Sequence, residues 1–213
     1  MSTQKQERAS QWERLYTDPS VQEELRQIVS ESWQRSQTME INRDILPSLT
    51  SSQELEKLKK DTKKLYVNSN SILNPIFESS HYSHLGALLF SPGGTIMELY
   101  GPPTFKQWAA KNHFVKGTCW SEDAIGTSIF SLGIGRPEGF CLSGRDCYAH
   151  FLLPGVYYFS SIYMPNGELA GGLALVAPFD KGNHYLQTIV SMAVRMIELQ
   201  LLWFHMCESH FDV

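Results

Sequence analysis

The sequence predicts an α+β domain, in which a central antiparallel sheet is flanked by N-terminal and C-terminal helices. Three observations support this prediction. Apolar residues recur every three or four positions near both ends of the chain, which is typical of amphipathic helices. Short apolar runs separated by turn residues fill the middle, which indicates strands. Of the 213 residues, 42% are hydrophobic and 19% are charged, which suits a globular core.

The first predicted helix lies close to the N-terminal end. Residues 1–18 form a polar tail, and Pro19 can occupy the first turn of a helix that runs to about Thr38. Residues 39–50 contain a proline and no periodic apolar pattern, so we interpret them as a linker.

A long second helix is predicted after the linker. Ser51 and Glu54 have the spacing of a capping box, and an apolar stripe continues from there to Phe77. Pro75 lies near the end of this helix and is expected to kink it. Because the stripe is long, we expect the helix to pack against the last helix of the chain.

The middle of the chain is predicted to form the sheet. Apolar runs predict strands at residues 85–89, 95–100, 140–143, 155–163 and 169–178. Ser91-Pro-Gly-Gly94 and Met164-Pro-Asn-Gly167 are turn signals, and the first closes a β-hairpin. Thr104 and Ser121 can cap two short helices, the second of which runs to about Leu132. This order predicts a layer of helices on one face of the sheet.

The last strand and the last helix complete the pattern. Gly171-Gly172 in the strand indicates close packing or a bulge. Asn183 opens a final helix that runs to about Cys207. Its apolar face is broad and contains Leu186, Ile189, Val190, Ala193, Met196, Ile197, Leu199, Leu201, Trp203, Phe204 and Cys207. One side is expected to pack on the sheet and the other on a second subunit, so we expect a homodimer through the terminal helices.

Charge and cysteine usage limit the classes of partner. The net charge is −4 and the pI is near 6.0, which argues against direct nucleic-acid binding. The start of the chain has no apolar secretory signal, and four polar or charged side chains interrupt the last apolar stretch, which argues against a membrane span. The four cysteines form no CxxC pair. We therefore expect a cytoplasmic protein with reduced thiols.

Four segments resemble one known family, and they occur in the family's order. Gly117-Thr-Cys-Trp-Ser-Glu-Asp-Ala-Ile-Gly-Thr-Ser128 resembles a G-x-x-W-S-E-x-x-x-G-T-N segment. Glu31-Ser-Trp-Gln-Arg35, Ser91-Pro-Gly-Gly94 and Asn166-Gly-Glu-Leu-Ala-Gly-Gly-Leu173 resemble an early S-W-x-R helix, a hairpin turn and a later strand. The family is that of the GAF-type N-terminal sensory domains of sigma-54-dependent transcriptional activators, of the acetoin and dihydroxyacetone regulator type. The resemblance covers roughly residues 25–205.

Three positions depart from the family's pattern. The asparagine after Gly-Thr is Ser128 here, the Glu-His-aromatic loop is Asp146-Cys-Tyr148, and a small-residue-Pro-Ile strand is Ser160-Ser-Ile162. All three lie around the cavity that the resemblance implies. They therefore put the family's usual effector in doubt more than its fold.

The resemblance also implies partner domains. Activators of this type carry an output ATPase domain and a DNA-binding domain downstream, and no G-x-x-x-x-G-K-[ST] loop occurs in this chain. We expect either a sensory segment of a longer activator or a stand-alone module. We divide the chain into residues 1–50, a tail and helix with a linker, and residues 51–213, a GAF-like sensor with long terminal helices.

The resemblance implies a cavity between the sheet and its covering loops, suited to an unidentified small effector. The candidate ligand-binding residues are Cys119, Trp120, Glu122, Phe130, Cys141, Tyr148, His150, Tyr157, Phe159 and Ser161, with Phe151 beside them. The alternative is that the aromatic side chains fill a core. Glu122 also has a structural interpretation, because with Ser121 it can support the start of a helix.

Two chemical alternatives remain open beside a non-enzymatic sensor. Cys119, Cys141 and Cys147 permit thiol chemistry of the kind used by the GAF-type free methionine sulfoxide reductases, which requires a depressed thiol pKa. A third possibility is a protein-interaction or redox module whose cavity is filled by its own side chains.

A metal site is a further alternative. His150 follows Cys147 by three residues with Asp146 adjacent, and His81 and His84 form another pair, but neither spacing is diagnostic. We therefore expect no metal and no catalytic residues, and we identify no cofactor.

Overall fold

In the computed structural model, which describes residues 19–78, 84–136 and 139–211, a five-stranded antiparallel sheet lies between two layers of helices. The helices are α1 (Pro19–Thr38), α2 (Ser52–Asp61), α3 (Lys63–Glu78), α4 (Pro103–Lys111), α5 (Glu122–Ile125), α6 (Ile129–Gly133) and α7 (Tyr185–Phe211). The strands are β1 (Gly86–Phe90), β2 (Ile96–Tyr100), β3 (Phe140–Ser143), β4 (Gly155–Tyr163) and β5 (Leu169–Pro178). The sheet order is β2-β1-β5-β4-β3. The predicted α+β class is confirmed, and the predicted tail at residues 1–18 lies outside the described residues.

The sheet is covered on both faces. All five residues of β1 are buried, and β5 is buried at every position between its two ends, so neither strand alternates between core and solvent. Helices α3 and α7 pack on one face, against Leu89, Leu173 and Leu175. Helices α4, α5 and α6 cover the other, which we call the aromatic face because Phe90 and Phe159 lie on it. The prediction of helices on one face was wrong, because these short helices also bury large apolar side chains.

The predicted long helix is divided into α2 and α3. Its start is as predicted, because Ser51 and Glu54 form a reciprocal capping box. At Thr62 the backbone leaves helical geometry, with φ −103° and ψ 27°, and the hydroxyl donates to the carbonyl of Leu58. The backbone N–H of Thr62 donates to the same carbonyl, so the hydroxyl adds a second bond of the i to i−4 kind that often bends helices. Pro75 lies inside α3, which continues to Glu78.

The helix predicted from Ser121 is also divided. α5 ends after a single turn at Gly126, whose φ of +77° favours glycine. Ser128 then caps α6 with its side chain. Ser121 occupies the N-cap position of α5 without a side-chain capping bond, and Thr104 lies inside α4, whose N-cap is Pro102. Both predictions of a side-chain cap were therefore wrong.

The turn and bulge predictions in the last two strands are confirmed. Gly167 has a φ of +86° in the turn between β4 and β5. The pairing register shifts between Ile162 and Tyr163, which is a bulge. A Cβ at Gly172 would lie 2.1 Å from Cζ of Phe159, so this position accepts only glycine without a shift of the ring.

Candidate functional site

Large aromatic side chains pack against one another on the aromatic face. The ring of Trp120 has centroid distances of 5.5 Å to Phe90, 5.3 Å to Phe114 and 6.2 Å to Tyr157. Phe159 lies 6.2 Å from Phe90. All five side chains have 0% exposure, so none presents surface to a water-sized probe, either outward or into an internal void. This region is a packed aromatic cluster at the place where the sequence predicted a cavity.

Five of the predicted ligand-binding residues belong to this face. They are Trp120, Phe130, Tyr157, Phe159 and Ser161. Phe130 lies edge-on to Phe159 at 6.0 Å. The Ser161 hydroxyl donates to the carbonyl of Gly133 and accepts the N–H of Gly135, which fastens the end of α6 to β4.

Tyr157 is a hydrogen-bonded core residue. Its hydroxyl donates to the carbonyl of Leu152 at 2.7 Å, which holds the short turn His150–Leu152 against β4. Burial raises the pKa of Tyr157 well above its usual 10.0, and the nearby Cys147 thiol raises it further. The phenol therefore stays protonated and neutral.

Glu122 binds helix α1. Its carboxylate accepts hydrogen bonds from Arg35, with Nη2 at 2.8 Å and Nε at 3.1 Å, and from the hydroxyl of Ser32. The hydrogen bond to Glu122 raises the pKa of Arg35. The buried hydroxyl of Ser36 accepts the N–H of Thr127 and donates to the carbonyl of Ser32. The sequence predicted a local role for Glu122 at the start of α5, whereas its described partners are on α1.

This polar network joins two of the four segments that resemble the family. Ser32 and Arg35 belong to the S-W-x-R segment, and Glu122 and Thr127 belong to the segment that marks the family. We did not single out the hydroxyl residues Ser32 and Thr127 from sequence. Small polar residues stand in both segments at positions that face the core. Such buried hydroxyl groups need hydrogen-bond partners, and this need is the signal that could have identified Ser32 and Thr127.

Tyr148 and His150 face the linker and α1. The ring of Tyr148 lies edge-on to Trp33 at 5.1 Å, and the guanidinium of Arg43 lies 4.7 Å from the centroid of the Trp33 ring. Arg43 also donates to the carbonyl of Tyr148. His150 is exposed, and its Nδ1 lies 2.8 Å from a carboxylate oxygen of Asp44. These two candidates therefore support the attachment of residues 33–44 and lie apart from the aromatic cluster.

The cysteines occupy three different environments. Cys119 is partly exposed, and its Sγ lies 3.3 Å from the hydroxyl of Ser121. Cys141 packs beside Tyr158, on the α7 face of the sheet. Cys147 is buried; burial raises its thiol pKa well above the usual 9.0, and Asp146 adds to this effect. The structure does not bring these thiols to one site, and all four cysteines are free.

Within the described part of the chain, no three His, Cys, Asp or Glu side chains are placed to hold a metal ion. His81, from the second predicted histidine pair, lies outside that part. Asp146 is exposed at the surface, and partial desolvation by its neighbours raises the pKa of its carboxyl.

Two open grooves flank Asp146, and the sequence did not predict them. One, of about 620 Å³, runs beside α1 at Val29 and Trp33. The other, of about 370 Å³, lies beside β3 at Cys141. Both include Leu25, which is partly buried and also packs against the aromatic face. Their linings combine segments that lie far apart in the sequence, α1 with Asp146 in the first groove and β3 with residues 179–184 in the second, and a local pattern does not show such a juxtaposition.

The sequence matches no protein-family model. It is similar to the acetoin dehydrogenase operon transcriptional activator AcoR of Bacillus subtilis strain 168, with 24% identity over 195 residues, covering 89% of this chain and 32% of AcoR. It is also 28% identical over 129 residues to an uncharacterized 47.3 kDa protein in the thcA 5′ region of Rhodococcus erythropolis, covering 57% of this chain and 28% of that protein. The chain thus spans about a third or less of the length of these curated relatives.

Among solved structures, the chain is similar to one in the Escherichia coli DhaR(N)–DhaL complex. The TM-score is 0.80 at 16% identity, covering 87% of this chain and 64% of the matched chain. The match confirms the GAF-like α+β fold. Together with the AcoR similarity, it confirms the resemblance to the sensory domains of this type of activator.

Proposed function

We propose that this chain is a cytoplasmic, non-enzymatic regulatory domain of a transcriptional activator, which senses a signal and relays it through its terminal helices. The similarity to the activator AcoR across 89% of the chain carries this proposal. The hydrogen bonds of α1 to Glu122 and Thr127 support the relay, because they join a terminal helix directly to the segment that covers the aromatic face.

The packed aromatic cluster favours a protein partner as the source of the signal. Trp120, Tyr157 and Phe159 contact neighbouring rings and border no water-sized void, so these three side chains line no preformed site for a small molecule. The structural neighbour was solved as a complex of DhaR(N) with DhaL. We propose that this chain likewise receives its signal at its surface.

A small effector bound by the predicted residues is the second candidate. The residues on the aromatic face, from Trp120 to Ser161, supply an apolar lining with a few polar groups, as effector sites do. Binding there requires the aromatic rings to separate. A ligand can stabilise such an open state only if it binds that state better than the packed one.

The raised thiol pKa of Cys147 supports the absence of thiol catalysis. A nucleophilic cysteine needs a depressed pKa and access to solvent, whereas Cys147 is buried with its pKa raised. Thiol chemistry of the kind used by the methionine sulfoxide reductases therefore finds no support in Cys147.

Output domains and a second copy complete the proposal. Because the chain spans 32% of AcoR, we propose that an output ATPase domain and a DNA-binding domain act with it. We also propose that two copies associate through their terminal helices. Direct contact with nucleic acid or membrane is not part of this function.

A hybrid activator tests the regulatory role. The segment of AcoR that aligns with this chain is replaced by this chain, and transcription from an AcoR-dependent promoter is measured with and without acetoin. We expect output that differs from that of AcoR lacking the segment and that no longer responds to acetoin, since the signal-receiving part is exchanged. Output equal to that of the deletion would contradict a regulatory role.

A further inference from the structure

The larger of the two open grooves follows one face of helix α1. Its helical wall contains Arg26, Ser30, Trp33 and Gln37, and their intervals of four, three and four residues place them on the same side of the helix. At 1.5 Å per residue this wall is roughly 17 Å long. Residues 145 and 146 form the facing wall. We call this site the α1 groove.

Trp33 fixes the distance between the two walls. Its indole N–H donates to the backbone carbonyl of Asp146 at 2.7 Å. Tyr148 packs edge-on to its ring at 5.1 Å, and the guanidinium of Arg43 lies 4.7 Å from the ring centroid. The apolar part of the groove, at Val29 and Trp33, is thus preformed. A preformed surface loses little conformational entropy when a partner binds.

The α1 groove has more positive than negative charge. Arg26 and Arg145 are both exposed, and Asp146 is the one carboxylate among the described residues that line the groove. The guanidinium of Arg26 meets the exposed carboxylate of Glu23 at 3.4 Å, a contact that water screens. Arg145 lies 4.9 Å from the ring centroid of Phe179, and in the described part of the chain it pairs with no carboxylate. Both guanidinium groups are therefore open to carboxylates of a partner.

The polar lining of the groove consists mainly of hydrogen-bond donors. The carboxylate of Asp146 already accepts the N–H of Ser143 at 3.2 Å. Ser30, Gln34 and Gln37 can donate through their hydroxyl and amide groups, as the two arginines do. The complementary occupant therefore has an apolar strip with acceptors, above all carboxylates, beside it.

The open shape of the groove favours a helix over a small molecule. Small-molecule sites bury most of the surface of their ligand, whereas the α1 groove is open to solvent along its length. A helix is about 10 Å wide, and an amphipathic helix contacts a groove through apolar residues three and four positions apart. Such residues match the strip at Val29 and Trp33, and carboxylates beside them match Arg26 and Arg145.

We propose that the α1 groove docks an acidic amphipathic helix of another protein. This proposal rests on the proposed function, in which the signal comes from a protein partner, and it names the surface and the chemistry of that partner. On its other side α1 is bonded to the core, because the buried Ser32 and Ser36 bond to Glu122 and Thr127. A partner that shifts α1 therefore strains these bonds, and the signal reaches the segment that covers the aromatic face.

The charges disfavour a nucleic acid as the occupant. Binding to a phosphate backbone relies on clustered lysine and arginine residues. The described lining of the α1 groove has two arginines and one carboxylate, and the chain as a whole has a net charge of −4.

Selection from a peptide library tests the docking surface. The immobilised 213-residue chain is presented with phage that display an alanine-based helix of about five turns, randomised at the positions of one face. We expect enrichment of apolar residues at intervals of three and four, with aspartate and glutamate beside them. The most enriched sequence, made as a synthetic peptide, is the probe for the binding measurements.

Charge reversal tests the two arginines. Arg26→Glu combined with Arg145→Glu should raise the dissociation constant of the probe peptide about thirtyfold, because two attractive contacts become repulsive. Lys57→Glu combined with Lys60→Glu makes the same change in net charge at exposed positions of α2 and should leave binding unchanged. A probe with lysine in place of its acidic residues should bind the arginine variant again, which a misfolded domain could not do.

Filling the groove tests its shape. Ser30→Trp places a ring in the α1 groove and should abolish binding of the probe peptide. Gln27→Trp, on the same helix and outside the lining, is the matched control and should retain it. Both positions are exposed, so the thermal unfolding of both variants should match that of the wild-type chain.

Each other outcome of the selection has a definite meaning. No enriched peptide, enriched peptides without acidic residues, or a probe that binds the arginine variant as tightly as the wild-type chain would each overturn the proposal. Stronger binders from a library with proline at every third position would assign the groove to an extended segment. Binding of single-stranded oligothymidine that the arginine variant loses would assign it to a nucleic acid. Either assignment overturns the helix.

The selection measures binding alone, so its failure is distinct from a failure of the proposed function. A hybrid activator that shows a regulatory role while the selection fails would remove only the α1 groove. A hybrid with output equal to that of the deletion, beside groove-dependent binding of the probe, would remove the proposed function and leave the groove standing.

Discussion

At the scale of single residues, Glu122 links the segment that marks the family to helix α1. Its carboxylate is about a quarter exposed, and the guanidinium of Arg35 is half-exposed, so water screens their attraction in part. Two nitrogens of Arg35 nevertheless bind the same carboxylate, and the hydroxyl of Ser32 adds a third donor. Paired donors of this kind fix orientation as well as adding energy.

A double-mutant cycle measures this link. Arg35→Gln and Glu122→Gln are made singly and together, and the free energy of unfolding is measured by urea denaturation. We expect a coupling energy of about 1 kcal/mol for the bidentate pair. The pair Arg26–Glu23, on the same helix and about three-quarters exposed on both sides, is the control and should show almost no coupling. Equal coupling energies for both pairs would show that the Arg35–Glu122 pair holds α1 no more strongly than an ordinary exposed ion pair does.

The buried thiol of Cys147 gives a second prediction at this scale. Because burial raises its pKa, we expect iodoacetamide at pH 8 to modify Cys119 and leave Cys147 unmodified until the protein unfolds, as read by peptide mass spectrometry. Modification of Cys147 in the native protein at the rate of a free thiol would contradict this environment.

The same shift gives a pH dependence whose sign is fixed. The folded pKa lies above the usual value of 9.0, so the contribution of the protonated thiol is complete below that pH and is lost as the pH rises toward the folded pKa. Between these values the free energy of unfolding should fall by about 1.4 kcal/mol per pH unit for this group. Cys147→Val, which has no proton to lose, should show a shallower fall.

At the scale of elements, two glycines interrupt or end the helices that cover the aromatic face. Gly126 separates α5 from α6 with a φ of +77° and a ψ of −156°, a region that is almost restricted to glycine. A Cβ there would lie 2.8 Å from Tyr148 and 3.0 Å from the hydroxyl of Ser36. Gly135 follows α6 with the same φ, and a Cβ there would meet nothing within 4 Å.

These two glycines form a matched pair for mutation. Gly135→Ala should cost about 1–2 kcal/mol of unfolding free energy, because only the backbone is strained. Gly126→Ala should cost about 2–4 kcal/mol, because the methyl group also collides with the side chains that attach α1. Thermal or urea unfolding measures both values. Equal costs would show that the contact between Gly126, Tyr148 and Ser36 has no energetic weight.

The elements that the sequence predicted best are those with a local physical cause. The bounds of α1, β4 and β5 agree with the prediction, because Pro19 and the turn at Gly167 mark them. The breaks at Thr62 and Gly126 were missed. Apolar periodicity continues across both positions, and it encodes neither the non-helical backbone at Thr62 nor the positive φ at Gly126.

At the scale of the whole molecule, the segment order predicted the sheet and its helices, and the motif order predicted the family resemblance. The sequence did not predict in the same way whether the candidate residues line a cavity or fill it. For Trp120 and Tyr157 the answer depends on which rings the tertiary fold brings against them. Phe90 packs against Trp120, and Phe114 packs against Tyr157. Sequence spacing identified the side chains and could not give the distances between them.

The two layers of the molecule have different roles in this account. On the α7 face a helix packs on the sheet, whereas the aromatic face carries the segment that holds α1. A signal that shifts α1 relative to Glu122 can therefore reach the sheet that α7 packs on. The division between residues 1–50 and 51–213 stays a prediction, and the bonds of α1 to Glu122 and Thr127 cross it.

Because the rings around Trp120 pack against one another, we expect the signal to arrive at the surface of the domain. Native mass spectrometry of the purified chain, after incubation with the small-molecule fraction of a bacterial extract, tests this expectation. We expect only protein, at 24.2 kDa per chain with the dimer at twice that mass. A small molecule bound in a one-to-one ratio with the chain, and released by denaturation, would contradict this expectation and establish the effector site instead.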